Sequence, residues 1–167
     1  MYAYEKLASQ YPNINIIYRS MPPHLPGLYL SGNIYLSKDI SDTEKYEILQ
    51  EEIAHYDTTV GDIVKEDTTD SRKQEHKARS LAMTRAVSLD KLIYCHNHGL
   101  WELDEIADYC NVDVEYLTDA INNYRVKRGL TFAYKGYRFD LRKNVKIEKI
   151  WGWYKWVKKG VFCAMNQ

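Results

Sequence analysis

Leu49-Gln50-Glu51-Glu52-Ile53-Ala54-His55 is the stretch on which the reading of this chain turns. Ser41 and Glu44, three apart, form a capping box that opens a helix. Tyr46, Leu49, Ile53 and Tyr56 then recur at helical spacing and mark its buried face. At 100° per residue, Glu51, Glu52 and His55 share an arc of roughly 100° beside that face. A side chain on that edge is partly dry and still reaches a cleft. The run falls one residue short of His-Glu-x-x-His, the helical pattern that sets two zinc ligands and a general-base Glu on one side of a helix. Glu51 stands where that pattern has its first His.

The next helix is expected to open at Ser71, with Gln74 at the capping-box position. Glu75, Ala78 and Ala82 follow at i, i+3 and i+7, with Leu81 beside them. Small side chains let a neighbouring helix approach closely, so this spacing predicts that Glu75 lies on the apolar face and points towards the first helix. A zinc-dependent hydrolase needs three protein ligands, one open position and a base beside it. His55, Glu75 and Glu51 are the candidate ligands, and Glu52 the candidate base. One imidazole with two carboxylates is compatible with Zn2+, and the harder oxygen set also admits Mn2+ or Fe2+. The plain reading is that Glu is a strong helix former and that Glu-Glu-x-x-His decorates many solvated helices. His76 faces about 100° away from Glu75 and is expected on the surface. Tyr56, and His24 in the proline-bearing loop 21–27, are candidate transition-state or cleft residues.

Around this centre, residues 2–11 read as a short helix, and 13–18 alternate as a strand. Residues 28–30 and 34–36 flank Ser31-Gly32-Asn33 as a hairpin, so the front of the chain predicts a small antiparallel sheet. Helices are expected at 88–97, 102–109 and 113–126, with Ser88 and Asp113 as caps. The last two resemble a helix-turn-helix in outline. However, Glu115 and Asp119 occupy the start of the would-be recognition helix, where a reader of base edges needs donors. Residues 131–134 and 137–140 form an expected hairpin about Lys135-Gly136, and 145–150 alternate again. Trp151, Trp153 and Trp156 lie among lysines in the C-terminal stretch. They suit either an edge strand or a partner surface with aromatic anchors and a lysine rim.

Composition sets the outer limits. The 167 residues suffice for one core with a small appendage, and 45% hydrophobic with 28% charged residues indicates a globular chain. Formal net charge is zero, from 23 basic and 23 acidic side chains, which argues against strong non-specific DNA binding. Bases dominate from Arg142 onward, however, and acids in the middle. The 15 tyrosines exceed what packing needs, so some should be surface or interface aromatics. Cys95, Cys110 and Cys163 form no Cys-x-x-Cys pair and fit buried thiols in a reducing compartment. No signal-peptide core and no apolar run of about 18 residues is present, so a cytoplasmic protein without a membrane role is expected.

The order and spacing of these pieces over about residues 10 to 127 resemble the ImmA/IrrE-type metallopeptidases, most of all their small phage and mobile-element branch. The resemblance is carried by Leu49 to His55, by the strands Gly27-Leu28-Tyr29 and Asn33 to Leu36 before it, and by Arg72 to Ala78 after it, where the family has a downstream Glu-x-x-Ala segment. Ser88 to Leu92 stand where members carry a short Pro-containing turn into a helix. The resemblance implies an α+β, zincin-like fold: a small antiparallel sheet packed on an active-site helix, plus additional helices. That domain would occupy 1–128, with its C-terminal part helical, and a β-hairpin and Trp/Lys-rich extension would occupy 129–167. It implies Glu52 as general base and His55 and Glu75 as ligands. Many members have His at the position of Glu51, whereas the phage-like branch often carries the Glu-Glu-x-x-His form. The function implied is a zinc-dependent endopeptidase acting on a helix-turn-helix repressor, or a similar cytoplasmic partner, encoded nearby. The alternative is a catalytically inactive zincin-like protein that binds a repressor or other phage factor.

Overall fold

The computed structural model describes residues 1–58 and 69–150. The fold is mixed α+β, with helices and two small three-stranded sheets. It divides into two compact units, Met1–Asn123 and Tyr124–Gln167.

The first unit opens with helix α1 (Ala3–Ala8), followed by strands β1 (Asn15–Arg19), β2 (Gly27–Leu30) and β3 (Asn33–Ser37). Ser31 and Gly32 both take positive φ, 49° and 79°, as a two-residue hairpin turn between β2 and β3 requires. The expected antiparallel sheet is in fact mixed. β3 is central, pairing antiparallel with β2 and parallel with β1. The reason is connectivity. The tight turn fills one edge of β3 with β2, and the proline-bearing loop after β1 crosses the end of the sheet. β1 is therefore left on the other edge, running the same way as β3.

Helix α2 (Asp42–Thr58) packs on β2 and β3, on α1 and on helix α3 (Thr69–Ala86). Its capping box is formed as expected: Ser41 N–H donates to Glu44 Oε2 at 2.9 Å, and Glu44 N–H to Ser41 Oγ at 3.1 Å. Leu49 and Ile53 are fully buried, which stabilises each by about 1.5–3 kcal/mol relative to exposure. Tyr56, expected on the same face, is 39% exposed. It lies near the end of the helix, and its ring meets Tyr29 of β2 edge-on with centroids 5.8 Å apart. The expected cap at Ser71 is also corrected, because α3 already includes Thr69 and Ser71 lies within it.

Helices α4 (Leu89–Asn97), α5 (Leu103–Cys110) and α6 (Val114–Arg128) follow. Ser88 caps α4 by accepting from Lys91 N–H. Asn111 turns left-handed between α5 and α6, and the Asp113 carbonyl accepts the first helical bond of α6 from Leu117 N–H. Cys95 and Cys110 are buried, unpaired thiols, as expected.

The second unit takes in the end of α6 and an antiparallel sheet of β4 (Thr131–Tyr134), β5 (Tyr137–Asp140) and β6 (Lys146–Lys149). Lys135 and Gly136, with φ of 46° and 81°, make its expected hairpin turn. Phe132, Phe139 and Ile147 fall in one cross-strand row, and Phe139 at its centre is fully buried. Among the described residues, no helix is long and apolar enough to cross a membrane. Trp151, Trp153, Trp156 and Cys163 lie outside the described residues.

Candidate metal centre

Ala54 of α2 and Ala78 and Ala82 of α3 are all fully buried and pack against one another, with Leu81 partly buried beside them. Three methyl-sized side chains at one helix contact allow the backbones to come close, and that closeness brings the polar groups at its margin into range. His55 Nε2 lies 3.4 Å from Glu75 Oε2. The spacing is longer than the optimum for a hydrogen bond, about 2.7–3.2 Å. Two donors bound to one tetrahedral ion at zinc–ligand lengths would stand about 3.3–3.5 Å apart, so the pair fits the edge of such a site.

Glu75 is nevertheless not buried. Its side chain is 57% exposed, against 22% for His55. It sits one turn before Ala78, at the rim of the helix contact, where the carboxylate faces α2 and solvent together. His76 is exposed, as its direction on the helix predicts.

Glu51, Glu52 and His55 are all half-buried, which agrees with their expected place beside the buried face of α2. They are not, however, held alike. The Glu51 carboxylate is directed at Arg79, with Oε1 3.9 Å from Nε. Its pKa is raised, first by burial and then by the charge of Glu75, while Arg79 opposes the shift. Among the described residues, no set of three His, Cys, Asp or Glu side chains is gathered closely enough to hold an ion. Of the three expected ligands, therefore, two are brought together, and the third leans on a guanidinium.

Glu52 lies on the sheet side of the pair. A methyl group added at Gly27 of β2 would overlap Ile48 and come within 3.0 Å of Glu52 Oε1. The absence of a side chain at Gly27 is what lets α2 lie against this edge strand with Glu52 between them. His24 is exposed in the loop between β1 and β2.

Three neighbours were not anticipated. Arg79 follows Glu75 by four residues and so lies on the same face of α3, a spacing that could have shown it. It also pairs with Asp119 of α6, Nη2 to Oδ2 at 3.1 Å. Glu47 accepts a 2.6 Å hydrogen bond from the N–H of Asp113, yet burial and nearby carboxylates push its pKa up to about 7. Tyr116 of α6 is buried with its hydroxyl unpartnered. Burial first, then the charges of Glu51 and Glu47, keep that hydroxyl protonated well above the usual range. Glu47 and Tyr116 carry no local signature, because only the docking of α6 on α2 brings them together.

Comparison with protein-family models, curated proteins and solved structures finds no match to this chain.

Proposed function

We propose that the first unit is a zincin-like, metal-dependent peptidase domain of a phage or mobile element, acting on a helix-turn-helix repressor or similar partner. The observation that carries this reading is the His55–Glu75 pair, 3.4 Å apart on two helices, with Glu52 one turn away against the edge strand β2. His55 and Glu75 would hold a divalent ion, Zn2+ by donor chemistry with Mn2+ or Fe2+ as options, and Glu51 would join them on leaving Arg79. The ion would supply Lewis acidity and polarise the scissile carbonyl. Glu52 would take a proton from the attacking water and return it to the leaving amine. The exposed edge of β2 would align an extended substrate by strand pairing. Tyr56, whose ring leans on Tyr29 at that edge, is the nearer of the two oxyanion candidates to the strand; His24 lies in the loop that leads into it.

Elemental analysis of protein purified without chelator tests the ion. Metal in the wild type and its loss in His55→Ala is the expected result; equal content in both, or none in either after zinc supplementation, overturns it. Incubation with the repressor encoded nearby tests the chemistry. Discrete fragments are expected, with cleavage reduced at least about 100-fold in Glu52→Gln.

One observation favours a second reading, that of a non-catalytic binder. Arg79 sets a positive charge beside Glu51, where a third anionic ligand is needed. On that reading, Glu52→Gln leaves both partner binding and partner integrity unchanged.

A further inference from the structure

The neutral total charge conceals a division at the boundary of the two units. Residues 1–123 carry eleven basic and twenty-one acidic side chains, a net of −10, whereas residues 124–167 carry twelve basic and two acidic, a net of +10. Within the described part of the second unit, residues 124–150, nine bases face only Asp140 and Glu148, a net of +7. Both carboxylates are already engaged, Asp140 by Arg142 and Glu148 by Lys146 at 2.9 Å and Arg138 at 3.9 Å. Arg125 donates to the carbonyls of Leu141 and Lys143, neutral acceptors that leave its charge uncompensated. An open concavity of about 360 Å³ is lined by Asp140, Arg142, Lys143, Asn144 and Lys146.

Aromatic rings are interleaved with these cations. The Arg128 guanidinium lies over both Phe132 and Tyr134, 5.5 and 5.7 Å from their centroids, and the Lys135 ammonium over Tyr134 at 5.2 Å. Phe132 and Tyr134 are half-buried, so each ring keeps an accessible part. The sequence beyond continues the pattern, with Trp151, Trp153, Tyr154 and Trp156 alongside Lys155, Lys158 and Lys159. A compact unit this basic needs a polyanion to offset its self-repulsion. Rings spaced among cations suit an anion that also presents flat faces, which separates single-stranded nucleic acid from an acidic polypeptide or a duplex with its bases stacked inside.

We propose that residues 124–167 form a module that binds single-stranded nucleic acid, gripping phosphates with its cations and stacking bases on its aromatic rings. The argument against DNA binding through α5 and α6 is unaffected, because this surface lies on the sheet and reads no base edges.

The test uses the full chain and a fluorescein-labelled oligo(dT) of about 20 nucleotides, followed by anisotropy at several salt concentrations. Saturable binding is expected, weakening with salt by about 0.7 in log–log slope for each phosphate contacted. Lys127 and Lys143 are both exposed, so Lys127→Glu/Lys143→Glu should retain the wild-type melting profile. It should bind at least about 10-fold more weakly at about 50 mM salt, with a slope smaller by about 1.4. Binding should also quench tryptophan emission, and the quenching should persist in Trp101→Phe. Each of the following overturns the proposal: no saturable binding at about 50 mM salt; the double variant binding within about twofold of wild type; no quenching; or equal or tighter binding of a duplex of the same length, of polyglutamate, or of phosphatidylserine vesicles.

Discussion

Glu47 in the first unit and Asp140 in the second are both carboxylates that accept a backbone N–H, yet their acidities move in opposite directions. Glu47 lies between α2 and the start of α6 among other acids, and burial pushes its pKa up to about 7. Asp140 is exposed, and its hydrogen bonds to Arg142 hold it well below the usual carboxylate range. The hydrogen-bond donor is similar in kind, so the environment decides the outcome. The first unit collects acids at helix contacts, where an added cation would be welcome. The second spreads bases over a small sheet and neutralises only a few. A metal centre and a polyanion surface are the respective readings of those two electrostatic settings.

The comparison breaks most severely if the units do not unfold separately. Phe139 is fully buried in the second unit and Leu49 in the first. Phe139→Ala should cost about 3–5 kcal/mol and Leu49→Ala about 2–5 kcal/mol, each by leaving a cavity. Calorimetry should show two transitions, with each variant lowering only its own. One shared transition that moves in both variants would show that the division is not energetic.

Gly27→Ala sharpens the picture of the candidate site. The new methyl group must displace Ile48 and crowd Glu52, and overpacking of this kind costs about 1–3 kcal/mol. Thermal melting should register the loss. Unchanged stability would mean that β2 does not lie against α2 as described.

Acidity separates the units at a smaller magnitude. Because the folded pKa of Glu47 is raised, the folded state holds its proton more tightly, so stability falls as pH rises from about 4.5 through about 7. Glu47→Gln removes that penalty. It should stabilise the protein by about 1 kcal/mol at pH 8, a value discounted for the solvent that reaches a half-buried carboxylate, and by little at pH 5. Asp140 has the opposite sign: its contribution is present above the unfolded value and is lost only as pH falls well below 4. Asp140→Asn should therefore lower the melting temperature equally at pH 5 and pH 8. Melting curves of both variants at the two pH values check the signs.

The smallest expected effect is at Arg79, whose side chain is 55% exposed. Arg79→Ala should change stability by under about 0.5 kcal/mol. If Glu51 completes the metal site, removal of the competing guanidinium should tighten zinc binding several-fold in a calorimetric titration. An unchanged affinity would mean that Glu51 does not take part.

The sequence by itself determined the local elements of this protein. Ser41 with Glu44, Ser88, and the Ser31-Gly32 and Lys135-Gly136 turns act within a few residues, and their hydrogen bonds or backbone angles match the expectation. It also placed Ala78 and Ala82 at a helix contact and His55 beside Glu75, because helical periodicity fixes which side chains share a face. The tertiary structure alone decided the rest. The parallel pairing of β1 with β3 depends on which edge the hairpin leaves open, a fact of connectivity in space. The exposure of Glu75 depends on where the contact between α2 and α3 ends, and that of Tyr56 on its distance along α2 from the buried centre. The link from Arg79 to Glu51 and the shifts at Glu47 and Tyr116 arise from residues 28 to 69 positions apart. No local pattern encodes those distances, because they are set only when the helices pack.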